Sequence, residues 1–545
     1  MKLFIQVLAV AMAIYLAAPV FAEETPVVDA PAGRVRGVAS GEVHVFRGVP
    51  YARPPLGELR WRPPVQLPRW EGEREATNFG AACVQPPSPE RSIYYSTYAA
   101  MSEDCLFLNI WAPAKAKKAP VMFWIHGGSL IGGAGSEAMY DGAQFAARGV
   151  IVVSINYRLG ALGWLAHPAL SAESPDSVSG NYGLLDQIEA LRWVQRNIGA
   201  FGGDPDNVTI AGQSAGALSV VFLMAAPEAR GLFQRAIAES AYTITMPELR
   251  NGTFRDWPAS EPTGAWLASK LGAAGIAELR AMSAEAITQG AARAGYFPLG
   301  TIDGHTLPRQ LVDVFDRGEQ AKVPILAGFN EGEIRALRFL LPTPPADAAA
   351  YEKEIRARYG DLADTFLARY PSATILESML ATTRDALYGW TSERLVAKQA
   401  AIGAPSFLYY FDHGYPSADQ AGFHAFHSAE IPFVFGTTAA TPPHWPKVPQ
   451  TAQEQRLSDA MLSYWATFAR DGVPRAQGEE DWRPYDGARS YMAFDDAPRM
   501  RAGPPSGYDI HEDVVCRRRA QGGVAWHWNV GIIAPALPSR ATACR

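Results

Sequence analysis

The sequence predicts an α/β fold, with a large, mostly parallel central sheet flanked by helices. Two observations carry that prediction. Five short runs are apolar throughout and bounded by Gly or Pro, and segments with helical periodicity lie between some of them. Strands that are hydrophobic on every residue belong to sheets covered on both faces, and strands alternating with helices give parallel order. In chain order, Val-Met-Phe-Trp-Ile at 121–125 ends at His126-Gly127-Gly128, and 150–155 follows Gly149. A helical pattern at 184–197 precedes the strand predicted at 207–211, which runs into Gly212, and a second helix follows at 215–225. The runs at 323–327 and 406–411 complete the set. Two stretches, about 245–300 and about 335–400, break this alternation. They are Ala-rich, mostly helical in pattern and punctuated by Pro. Both read as insertions roofing the C-terminal edge of the sheet, where open α/β folds bind ligands.

Bulk properties narrow the class. The chain has 545 residues, 48% of them hydrophobic, and a formal charge of -6. That charge excludes the basic footprint of a nucleic-acid binder. Lys2, an apolar run at 3–16 and Val20-Phe21-Ala22 read as a cleavable signal peptide over 1–22. Residues 23–545 are then expected to form one exported, soluble domain with insertions, its oligomeric state open. The four cysteines fit an oxidising compartment. Cys83 and Cys105 are spaced to close one loop, and Cys516 and Cys544 to tie down the C-terminal tail, although four cysteines allow three pairings. None has metal-site spacing.

Gly212-Gln213-Ser214-Ala215-Gly216 matches G-x-S-x-G. Chance alone supplies about a quarter of such a match in a chain of this composition, so context must decide. A predicted strand precedes Ser214 and a predicted helix follows it, the arrangement of a nucleophile elbow. The alternative is a serine capping an ordinary turn. Upstream, His126-Gly127-Gly128-Ser129 follows a buried strand. It reads as an oxyanion loop, with the Gly128, Ser129 and Ala215 amides as candidate donors. Ser129 stands where the H-G-G-G pattern has a third glycine, which narrows the conformations open to the loop.

The general base belongs late in the chain. Phe423 to Gly436 reads Phe-His-Ala-Phe-His-Ser-Ala-Glu-Ile-Pro-Phe-Val-Phe-Gly. It resembles the H-x-x-E-(I/L)-P-(F/Y)-V-F-G signature of type-B carboxylesterases, the family that includes cholinesterases. The resemblance extends to Phe46-Arg47-Gly48-Val49-Pro50-Tyr51, to Glu103-Asp104-Cys105-Leu106-Phe107-Leu108-Asn109, and to Gly180-Asn181-Tyr182-Gly183. It implies an α/β-hydrolase fold of the bacterial secreted type, a Cys83–Cys105 disulfide, and structural ion pairs Arg60–Glu103 and Arg158–Asp186. It implies His427 as base, with His424 at the wrong offset and local in role, and Glu430 supporting the triad from behind. For the acid, family sequences resemble G-x-N-x-D-E-G, against Gly328-Phe329-Asn330-Glu331-Gly332-Glu333-Ile334 here. Register favours Glu333, with Glu331 the alternative.

The expected activity is therefore carboxylic ester hydrolysis through an acyl-enzyme, with no metal or cofactor. Many relatives carry Glu where this chain has Gln213, so a neutral, largely apolar small ester is the expected substrate. Tyr94, Tyr95, Tyr98, Tyr296 and Phe297 are candidates to line an apolar gorge, or to pack in the core. The competing readings are a catalytically silent binding protein on the same fold, and an amidase, lactone or carbonate hydrolase sharing the triad.

Overall fold

The computed structural model describes residues 25–252, 258–522, 524–542 and 544. The predicted signal segment at 1–22 lies outside them.

Eleven strands form the main sheet. Numbered within it, they are β1 (Val38–Ser40), β2 (Val43–Pro50), β3 (Phe107–Pro113), β4 (Ala119–Ile125), β5 (Ile151–Ile155) and β6 (Gly203–Gln213). β7 (Arg235–Glu239), β8 (Ile325–Asn330), β9 (Ser406–Phe411), β10 (Tyr491–Phe494) and β11 (Pro498–Arg501) follow. Their spatial order is β11-β10-β9-β8-β7-β6-β4-β5-β3-β2-β1. From β10 to β5 every neighbour is parallel, and the pairings outside that block are antiparallel. All five strands predicted from apolar runs lie in the parallel block, with boundaries shifted by a few residues.

Alternation along the strands separates two cores. Val121, Phe123 and Ile125 of β4 pack on the face covered by α1 (Tyr182–Asn197), α2 (Ala215–Ala225) and α3 (Trp390–Ala401). Met122 and Trp124 face the other way, toward Phe435 and Trp465, the latter on α4 (Ala452–Asp471). Every residue of α2 is buried. A helix apolar on all sides has no solvent face to offer, so α2 runs through the interior behind the sheet's C-terminal edge.

The two long insertion segments are helical in large part. The first contributes Ser260–Lys270, Ile276–Ala281 and Ala284–Ala294, which cluster with Ala161, Leu162 and Leu165. The second contributes Ala348–Tyr359, Ala363–Arg369 and Ile375–Arg384 before reaching α3. α3 itself leans on the sheet: Ser392 Oγ donates to the Gly328 carbonyl of β8 at 3.0 Å.

Cys83 is bonded to Cys105, and Cys516 to Cys544. The Arg158–Asp186 pair is fully buried and bidentate, at 2.8 and 2.7 Å. Arg60 grips Glu103 in the same way, at 2.7 and 2.5 Å. Among the described residues, no helix is long and apolar enough to cross a membrane.

Candidate active site

Register brings the site together. Gly212 of β6 lies opposite Ile125 of β4, Gln213 opposite Glu239 of β7, and Glu239 opposite Gly328 of β8. The loops leaving these strands therefore emerge side by side, carrying His126-Gly127-Gly128, Ser214, Ser240 and Glu331-Gly332-Glu333.

Ser214 sits between β6 and α2 at φ 57°, ψ -123°. Such a backbone costs about 1–3 kcal/mol and persists only where its surroundings impose it. Here its N–H donates to the Glu239 carbonyl at 2.9 Å, and its carbonyl accepts from Leu218 at 2.9 Å. Gly216 has no room for a side chain, since a Cβ there would stand 2.0 Å from the Ile125 carbonyl oxygen. Strand and helix can close into an elbow only because that position is glycine.

His427 reaches the same edge from the loop before a short helix, Ile431–Phe435. Its Nδ1 is hydrogen-bonded to Glu333 Oε2. Glu333 is fully buried, and its other oxygen accepts from Ser240 Oγ at 2.6 Å and from the Asn330 amide at 2.8 Å. The carboxylate is thus held on three sides. With the proton on Nδ1, His427 Nε2 presents a lone pair, and the Gln213 side-chain nitrogen lies 3.3 Å from it. Tyr94 donates to the His427 carbonyl at 2.8 Å, and the Tyr388 ring lies 5.2 Å from the imidazole.

Glu331 points elsewhere. Its carboxylate pairs with Arg384 at 3.1 Å and Arg335 at 3.4 Å. With Asp412 and His424 it forms a group of metal-ligating residue types. His424, however, is hydrogen-bonded to Asp412 and Asp419, and Asp412 above all pushes it up to about 9. Protonated, its imidazolium pairs with both carboxylates, which makes the group an ion-pair network in this state. His424 keeps a local role.

The candidate oxyanion loop adopts left-handed geometry at three successive residues: Gly128 at φ 103°, Ser129 at 57° and Leu130 at 60°. Gly128 is obligatory, because a Cβ there would lie 2.1 Å from the Gly132 carbonyl oxygen. Ser129 bears a strain that the glycine it replaces would escape. Among the described residues, no acceptor pairs with the amides of Gly128, Ser129 or Ala215. Two supports were not read from the sequence. Gln85 exchanges hydrogen bonds with Gly133, at 2.8 and 3.0 Å. His126 stacks on Tyr157 at 4.5 Å, and burial pushes it down to about 4, so it stays neutral.

Behind the histidine, Asn330 donates to Glu430 at 2.5 Å and to the Phe426 carbonyl at 2.9 Å. Burial, and then the charge of Glu333, push Glu430 up to about 7. Glu239, capped by Trp465 at 2.7 Å, is raised well above the usual carboxylate range by burial and by Glu430.

Ser214, His427, Gln213, Gly128 and Ser129 open onto one cavity of about 840 Å³. Tyr94, Tyr95, Tyr98 and Phe297 line it, joined by Tyr140, Tyr242, Tyr388 and Trp528. Tyr296 does not; it packs against a separate apolar cluster, and its hydroxyl donates to the Trp164 carbonyl at 3.0 Å. From the second insertion segment, Leu337, Phe339, Leu340, Leu387 and Tyr388 reach the cavity.

A serine on a strand–helix elbow, at the C-terminal edge of a mostly parallel sheet and sharing a cavity with a histidine bonded to a carboxylate, is the arrangement of the α/β-hydrolase fold. The chain belongs to the carboxylesterase family, whose model matches residues 24–506. It is 37% identical to a fumonisin B1 esterase of Sphingopyxis macrogoltabida, over 85% of each chain. It is also 37% identical to a para-nitrobenzyl esterase of Bacillus subtilis, over 83% of this chain and 91% of that one. Among solved structures, a para-nitrobenzyl esterase superimposes with a TM-score of 0.76 at 33% identity, over 89% of this chain and 99% of that one.

Proposed function

We propose that this protein hydrolyses small, largely apolar carboxylic esters by two-step acyl transfer. Ser214 Oγ attacks the ester carbonyl while His427 Nε2 takes its proton. Glu333 holds the imidazole in the tautomer that makes this possible and stabilises the imidazolium that forms. The amides of Gly128, Ser129 and Ala215 receive the oxyanion. His427 then protonates the leaving alcohol, and water cleaves the acyl-enzyme by the same route. In this reading, residues 23–545 form one domain, exported by the segment at 1–22. The two disulfides favour that compartment.

The observation that carries the reading is convergence at a single cavity. A strained serine, a histidine hydrogen-bonded through Nδ1 to a fully satisfied buried carboxylate, and three amides without acceptors among the described residues all meet there. A binding protein on this fold has no need to strain Ser214 or to bury Glu333 against His427. The named activities of the two esterase relatives support the same chemistry. The test is labelling with a fluorophosphonate probe alongside hydrolysis of p-nitrophenyl butanoate. Wild type is expected to do both, and Ser214→Ala neither. An unlabelled wild type, or a Ser214→Ala variant hydrolysing at the wild-type rate, would sink the proposal.

A further inference from the structure

Gln213 leaves the nucleophile without a carboxylate neighbour, yet the pocket is not electrically neutral. Glu137 lines it, as does Glu90, and no Lys or Arg is among the described residues that form its walls. Glu137 precedes the short helical turn Ala138–Tyr140, downstream of the oxyanion loop. The side chain that donates to it is Tyr98, whose hydroxyl lies 2.9 Å from Oε1. Tyr140 is the other titratable group beside it, and Glu90 and His427 stand elsewhere on the walls. Among the described residues no cationic side chain pairs with Glu137.

We propose that Glu137 is a specificity-determining residue, whose carboxylate receives a cationic group carried on one arm of the ester. The hydrogen bond from Tyr98 would be accepted equally well by the amide oxygen of glutamine. An unpaired carboxylate on a cavity wall is costly, and a cation entering the cavity offsets that cost. Burial pushes the Glu137 carboxyl up to about 7, with Tyr98 and the Ala134 main chain acting against the rise. Recognition therefore strengthens as pH climbs through that value and the carboxyl ionises. The same wall disfavours esters that carry an anionic arm.

This inference rests on the esterase reading, and the experiment separates the two. Two isosteric ester pairs are compared, each differing only in trimethylammonium against tert-butyl. One varies the alcohol arm: 2-(trimethylammonio)ethyl against 3,3-dimethylbutyl butanoate. The other varies the acyl arm: phenyl 4-(trimethylammonio)butanoate against phenyl 5,5-dimethylhexanoate. The readout is the ratio of kcat/KM, cation over neutral, from pH 6 to 9. The quaternary charge does not titrate, and the pH dependence of the hydrolytic machinery cancels in the ratio. For at least one pair the wild-type ratio is expected to rise through about pH 7 and to level off above it. Glu137→Gln is expected to lower the ratio about tenfold at pH 8 and to flatten its pH dependence. Tyr98→Phe removes a donor to the carboxylate and moves the rise to higher pH. Ratios that are the same in wild type and Glu137→Gln for both pairs, or that follow pH equally in both proteins, would overturn the inference. Failure of the wild type to hydrolyse the neutral esters would overturn the esterase reading and this inference with it.

Discussion

Glu333→Gln tests the hydrogen-bond logic of the triad with almost no change of shape. In the wild type, one Glu333 oxygen accepts from Ser240 Oγ and the Asn330 amide, and the other from His427 Nδ1. Glutamine can keep the first two bonds only by turning its carbonyl oxygen toward Ser240 and Asn330. Its NH2 group then faces His427 Nδ1, which must become an acceptor. The imidazole proton moves to Nε2, the atom that has to take the proton from Ser214. Lost charge adds to the wrong tautomer. A carboxylate about 4 Å from an imidazolium, at an effective dielectric of about 20, contributes about 4 kcal/mol. At about 1.4 kcal/mol per decade that is about three decades of rate. The tautomer reversal brings the expected loss in kcat/KM to about 10³–10⁴-fold, the range seen for such changes in other serine hydrolases. KM should move little, because Glu333 lies behind His427 and is not among the residues lining the cavity. The assay is p-nitrophenyl butanoate hydrolysis, with thermal unfolding to show that the variant is folded. Glu331→Gln is the control, expected within about threefold of wild type because Arg335 and Arg384 hold that carboxylate away from the site. A Glu333→Gln enzyme retaining more than about a tenth of wild-type kcat/KM would refute the reasoning. So would a Glu331→Gln enzyme that lost as much as predicted for Glu333→Gln.

Two further outcomes follow from the same geometry. Gln213→Glu sets a carboxylate 3 to 4 Å from His427 Nε2, judging by the 3.3 Å amide contact, and so favours the imidazolium over the neutral base. The acid limb of the kcat/KM profile should move about one pH unit upward, and an unmoved profile would show that residue 213 does not face the base. His511 is fully buried beside Tyr370, at 3.1 Å, and burial pushes it down to about 4 from 6.5. As pH falls below 6.5 the unfolded chain takes up a proton that the folded one refuses, so stability drains away until about pH 4, by about 3 kcal/mol. His511→Gln removes that linkage. Its stability relative to wild type should rise by this amount between pH 7 and pH 4 in urea unfolding, and parallel curves would contradict the assignment.

Five of the seven strands in the parallel block were legible because they are apolar on both faces, a pattern that local sequence carries whole. The remaining strands were not. β7 ends in Glu239, and β3 carries Asn109 in its middle; both side chains are buried. Asn109 is satisfied by Gly48 N–H and Ser154, and one oxygen of Glu239 accepts from Trp465, all distant in sequence. No reading of neighbouring residues reveals that a buried polar group has found its partner. The insertion segments were recognised as helical by composition. Which of their residues reach the cavity depends on how they fold back, as Tyr296 and Phe297, adjacent in the chain, demonstrate by separating.

Beyond the α/β class, and with His427 supplied by the family resemblance, the sequence by itself nominated Ser214 and the Gly128 loop. Each is defined by a short motif whose steric demands are local: an elbow that admits only glycine beside Ile125, and a loop that turns left-handed at Gly128. Only the tertiary structure decided which of Glu333 and Glu331 meets His427. The two are separated by a single glycine, and what distinguishes them is that the Asn330 amide and Ser240 hold one inward while two arginines draw the other out. It alone decided the second disulfide pairing, and it alone brought Glu137 to the cavity. A turn residue comes to face such a pocket only when segments distant in sequence, Tyr94 to Tyr98 among them, fold around it.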